Sequence, residues 1–168
     1  FHFQLVNTSV VNINNICINR FNSVKFLVII INGSLSWLEH INYISCKVTK
    51  NLGIIYRLKL KFPNFILYSL YNSLVFPYFI YCISIWGCSP KSHLHILKLN
   101  QNFFVRILFN VIKFHPITFY YESSNIWPIE DLHVLYSLCF FFKLYKLNYC
   151  SHLNDYLNSF INLRLKLF

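Results

Sequence analysis

The hydrophobic period of the chain changes between Lys25 and Ile41, in the stretch KFLVIIINGSLSWLEHI. Lys25 to Ile31 is a dense run of aliphatic and β-branched residues, a pattern that predicts a strand. Asn32-Gly33-Ser34 interrupts it with turn-forming residues. From Trp37 onward the apolar residues recur at helical spacing. Short strands are therefore expected before this point and helices after it: a mainly α protein with a small N-terminal antiparallel β-hairpin or sheet.

Upstream, Val10 to Ile13 and Ile16 to Ile18 flank Asn14-Asn15, a pair suited to a two-residue hairpin turn because Asn tolerates positive φ. A sheet of two or three strands is marginal alone and needs a partner to pack on. Downstream, the first helix is expected from Ser36 to Lys61, with Ser36 as N-cap and Glu39 as its capping-box partner. Trp37, Ile41, Ile44, Val48, Leu52 and Ile55 then share one face, with Lys47, Lys50, Arg57 and Lys61 opposite. A second, buried helix is expected from Pro63 to Ile85 with a break at Pro77. Trp86-Gly87-Cys88-Ser89-Pro90 stops it. A third runs from Lys91 to Asn110. It has a polar face of Lys91, His95, Lys98, Asn102 and Arg106 beside an apolar one of Leu94, Leu97, Gln101, Val105 and Leu108. Residues 113–128 read as a connector with one short helical turn. A helix from Ile129 to Leu147 carries a stripe of Leu132, Leu135, Tyr136, Cys139 and Phe142, and Ser151 caps a short last helix ahead of a basic tail.

Charge narrows the function. Fifteen Lys and Arg face five Asp and Glu, for a net charge of +10. A balance this basic points to a polyanion, either nucleic acid or an anionic membrane surface. AT-biased codons would also supply Lys freely, together with the abundant Phe, Ile, Asn and Tyr. The absence of Met and the start at Phe1 read as a fragment of a longer reading frame. The carboxylates are Glu39, Glu122, Glu130, Asp131 and Asp155. Phosphoryl chemistry on metal ions needs acidic ligands that converge. Only Glu130 and Asp131 are adjacent, and helical neighbours diverge in direction, so no catalytic residue is assigned. Cys82 and Cys88 with His93 and His95 have irregular spacing for zinc, and core thiols with surface histidines are the expectation. No cofactor is expected in this stretch and no small-molecule substrate. The uncharged run between Lys61 and Lys91 has the length of a membrane span. It is interrupted by Pro63, Asn64, Ser69, Asn72, Ser73 and Pro77. A small membrane protein built on 62–86 and 132–147 stays an alternative, as does an inert pseudogene product.

Several ordered matches resemble the part of a jockey-like non-LTR retrotransposon reverse transcriptase that follows the catalytic palm. They begin with Lys25-Phe26-Leu27, then Leu35, Trp37, His40 and Ile41, then Lys50-Asn51-Leu52-Gly53 and Leu58. Leu70-Tyr71-Asn72-Ser73-Leu74, Pro77-Tyr78, Tyr81-Cys82 and Ile85-Trp86-Gly87 follow in the family's order. Leu99, Gln101, Val105-Arg106-Ile107 and then Ile126, Pro128, Asp131 and Leu132 extend the match to about Leu147. The chain departs from the family at Val28, where the family has Gly, and at Asn32, where it has Asp. Phe103-Phe104 stand where it carries a basic pair. The family's Tyr-x-Asp-Asp catalytic turn is absent here.

The resemblance implies a division into a β remnant of the palm over 1–34, a helical thumb-like bundle over 35–150 and a short helix with a basic tail over 151–168. It implies holding rather than catalysis, on a template–primer duplex of RNA and DNA beside the palm and fingers of a parent polymerase, whose Mg2+ would lie outside this fragment. Contacts of that kind go to sugar and phosphate, so they position without reading sequence. The candidate contacts are Lys25 in the strand region, Lys47, Lys50, Arg57 and Lys61 on the first helix, and Lys98 and Arg106 on the third. The alternative for each cation is an ordinary solvated helix face. Trp37, Tyr71, Pro77, Tyr81, Cys82 and Trp86 are expected in the core.

Overall fold

The computed structural model describes residues 11–13, 16–18, 21–112 and 115–146. The described chain is mainly helical behind two antiparallel hairpins. Strands β1 (Val11–Ile13) and β2 (Ile16–Ile18) pair with Val11 opposite Ile18. The Asn14-Asn15 turn lies outside the described residues, as do the last helix from Ser151 and the basic tail.

The Lys25–Ile31 run does not form one strand. It folds on itself as β3 (Ser23–Phe26) and β4 (Ile29–Asn32), with Phe26 opposite Ile29. Leu27 and Val28 form the turn at φ 45° and 74°, the left-handed pair that a tight hairpin of right-twisted strands requires. Tyr81 Oη donates to the Leu27 carbonyl at 2.8 Å and holds the turn from outside.

Helix α1 spans Leu38–Leu58. Ser36 is not its cap, because Asn32 has already engaged it. The Ser36 N–H donates to Asn32 Oδ1 at 3.0 Å, and Asn32 Nδ2 donates to Ser36 Oγ at 2.8 Å. Left-handed Trp37 takes the cap position with no side-chain bond. Ile41, Ile44, Val48, Leu52 and Ile55 are buried as their spacing predicts, and His40 joins them.

The second helix divides into three: α2 (Asn64–Leu74), α3 (Phe76–Ile80) and α4 (Ile83–Trp86). Pro77 has no N–H to donate and its ring would meet the carbonyl four residues back, so the break falls just upstream of it. Cys82, at φ 53°, turns the chain into α4. Among the described residues no helix is long and apolar enough to cross a membrane.

Helix α5 (Lys91–Phe109) ends at left-handed Asn110, followed by α6 (Thr118–Ser124) and α7 (Ile129–Lys146). The core gathers where α1, α2, α5 and the start of α7 meet. Tyr71 of α2 stacks on Phe104 of α5 with ring centroids 4.0 Å apart. Trp86 is fully buried, and its Nε1–H donates to the Tyr81 carbonyl at 2.8 Å. Of the other expected core residues, Tyr71 is buried, Trp37 and Cys82 are half-buried, and Pro77 and Tyr81 are exposed. Gln101, inside the apolar face of α5, anchors α7. It donates to the Trp127 carbonyl at 3.1 Å and accepts the Ile129 N–H at 2.9 Å. α7 buries Ile129 and Leu132 in its first turns and Leu144 near its end, while Leu135, Cys139 and Phe142 of its expected stripe are exposed.

Candidate nucleic-acid interface

Helix α1 turns one side to the core and the other to solvent. Lys47, Lys50 and Arg57 are all exposed on the outer side. At 1.5 Å per residue they extend along about 15 Å of helix. The only carboxylate of α1 is Glu39 in its first turn, so nothing on the helix neutralises the stripe near its middle or end. Lys61 is exposed in the turn that follows the helix.

Lys25 reaches this stripe from the sheet. Its Nζ donates to Tyr43 Oη at 3.4 Å and lies 4.8 Å from the Tyr43 ring centroid. Lys47 Nζ lies 5.6 Å from the same centroid. One half-buried ring thus holds two cations by its negative face. Tyr43 was not legible as a site residue. Its signal was the helical spacing of four to Lys47, which places a ring beside that cation.

The two candidates on α5 have intramolecular partners instead. Lys98 Nζ pairs with Glu130 Oε1 of α7 at 2.9 Å. Burial alone would raise the Glu130 pKa, but the Lys98 hydrogen bond and charge outweigh it and hold the carboxyl below its ordinary value. Arg106 Nη1 donates to the carbonyls of Ile112 and His115, closing the loop after α5. Among the described residues, five of the seven predicted cations are therefore exposed and meet no carboxylate or backbone carbonyl, Lys25 and Lys47 resting on Tyr43, and two are engaged by such acceptors within the fold.

No protein family, curated protein or solved structure matches the chain.

Among the described residues, no three His, Cys, Asp or Glu side chains gather as a metal site. The Cys88 thiol donates to the Ile85 carbonyl. Asp155 lies outside the described residues. His40 is buried and its Nδ1 accepts the Ile30 N–H at 3.4 Å, and burial lowers its pKa, which keeps the ring neutral. His40 thus docks β4 on α1. The arrangement offers fixed positive charge along a rigid helix, with a strand residue joined to one end. It can attract and align a phosphate backbone, and hydrated lysines on flexible stems do this without demanding one sequence.

Proposed function

We propose that this chain holds a nucleic-acid duplex through the outer side of α1, without catalysis of its own. The observation that carries the reading is the run Lys25, Lys47, Lys50 and Arg57, exposed opposite the buried face of α1 and gathered at one end on Tyr43. The resemblance to the thumb region of a non-LTR retrotransposon reverse transcriptase supplies the partner: an RNA/DNA template–primer duplex, held beside the palm and fingers of a parent polymerase. In that setting, Mg2+ and the catalytic carboxylates belong to the palm.

Binding should be independent of sequence and should weaken steeply with salt, because each phosphate neutralised releases condensed counterions. Titrating the chain with labelled duplexes of two unrelated sequences across a salt series tests this. Equal affinity at low and high salt, or a strong preference for one sequence, overturns the proposal.

A further inference from the structure

A second surface lies where the C-terminal ends of α1 and α5 run side by side, and it differs in chemistry from the stripe. Tyr56 of α1 and Phe103 of α5 are 56% and 43% exposed there, large rings open to solvent. Their centroids are 6.0 Å apart, with planes tilted by 31°. A groove of about 640 Å³ opens over this pair, and a neighbouring one of about 710 Å³ shares Tyr56 and Lys59 with it. Each lies in the size range of small-ligand sites, roughly 300–1,000 Å³.

Among the described residues, the groove walls carry cations and no carboxylate. Arg57 and Lys59 line the second groove, and Lys59 and Arg106 the first. Lys59 is fixed by its 2.7 Å bond to Asn110 Oδ1. Among the described residues Arg106 uses only Nη1, on two loop carbonyls, which leaves Nη2 and Nε as donors. Asn102 is held in the same wall by the Tyr121 hydroxyl, 2.7 Å from its Oδ1. An exposed aromatic pair rimmed by fixed cations suits a ligand that alternates flat apolar rings with negative charges.

We propose that this groove binds unpaired nucleotides, stacking a base on Tyr56 and Phe103 while Arg57, Lys59 and Arg106 meet the flanking phosphates. Bases within a duplex are stacked on one another and cannot offer their faces to a side chain, so the ligand is a single strand. The inference rests on the reading of the chain as a nucleic-acid holder. It adds a separate place for the unpaired strand beyond the duplex, adjoining the stripe at Arg57.

The test uses the full chain and three labelled probes: a short oligouridine, an abasic strand of the same length, and a duplex. Replacing both rings, Tyr56→Leu with Phe103→Leu, should weaken oligouridine binding by roughly fivefold or more, the loss from one stacked base. Binding of the abasic strand and the duplex should not change. Tyr56→Phe with Phe103→Tyr keeps both rings and should bind oligouridine like the parent chain, which separates lost stacking from lost fold. If the Leu pair leaves oligouridine affinity unchanged, or if the parent chain binds the abasic strand as tightly as oligouridine, the groove is not a stacking site. The duplex reading fails separately, if Lys47→Ala with Lys50→Ala leaves duplex binding and its salt slope intact.

Discussion

Replacing Lys47, Lys50 and Arg57 together by Ala is the most direct test of the α1 stripe. Each phosphate contact contributes about 0.9 to the slope of log K against log salt on duplex DNA. With Lys25, Lys47, Lys50, Arg57 and Lys61 all engaged, the slope should lie near −4.5, at about 0.9 per contact. The triple variant should retain only about −1.8, a loss of roughly 2.7 on the same scale. Between 50 and 200 mM salt, that difference makes the variant lose roughly 40-fold less affinity than the parent chain. All three residues are exposed and make no ion pair among the described residues, so the fold should persist, with circular dichroism as the check. Fluorescence anisotropy across a salt series reads the slope. Lys98→Gln is the internal control, because its ammonium already faces Glu130 at 2.9 Å, and it should change the slope by much less than one contact. An unchanged slope in the triple variant, or a Lys98→Gln effect as large as that of a stripe residue, refutes the assignment.

Three further outcomes concern the scaffold. Gln101→Leu removes the partners of the part-buried Trp127 carbonyl and the buried Ile129 N–H; at about 1–3 kcal/mol for the one fully buried group left unpaired, it should cost about 2 kcal/mol in urea unfolding, and a change under about 0.5 kcal/mol would show that α7 is held otherwise. Leu27→Asn with Val28→Gly places the residues a left-handed two-residue turn favours where φ is 45° and 74°; relief of about 1–2 kcal/mol per strained residue, offset by about 0.5–1 kcal/mol of glycine entropy, should raise the melting temperature, and a fall would contradict the turn. His40 has a lowered pKa in the fold, so its contribution to stability is complete above its ordinary value of 6.5 and is lost as pH falls from there through the folded value. A melting series from neutral to mildly acid pH should show that decline and His40→Gln should flatten it, whereas parallel curves would remove His40 as the cause.

The helices were legible because their faces repeat. Val48, Leu52 and Ile55 recur at a period that only a helix can bury on one side, and α1 buries all three. Boundaries set by a side-chain bond were less legible. Ser36 has the residue type of an N-cap, but Asn32, four residues earlier, engages both its amide and its hydroxyl. The run from Lys25 to Ile31 has no Gly, Asn or Pro in its middle, so no local signal marked the reversal at Leu27 and Val28. Sheet pairing and the Tyr81 bond from α3's far end impose it, as tertiary context overrides propensity. Gln101 misled in the opposite way. A polar residue in an apolar stripe looks like a flaw until α7, nearly thirty residues on, brings it two backbone groups.

The same reversal decides what the candidate interface contains. Folding back at Leu27 and Val28 sets Lys25 opposite Ile30. The Ile30 N–H donates to His40, and Tyr43 follows His40 by about one helical turn. Lys25 is thereby carried to Tyr43 and the head of the α1 stripe, a position fixed by the hairpin register rather than by sequence proximity. A single unbroken strand would carry Lys25 at about 3.3 Å per residue away from α1, and the strand cation would then lie apart from the helix cations. The partners of Lys98 and Arg106 follow the same logic with the opposite result. Periodicity placed both on a polar face of α5, but Glu130 and the Ile112 and His115 carbonyls reach that face from later in the chain and engage them there. Acceptors brought from later in the chain thus take up donors of the α5 cations, whereas among the described residues the packing of α2 and α5 against the buried face of α1 leaves Lys47, Lys50 and Arg57 exposed.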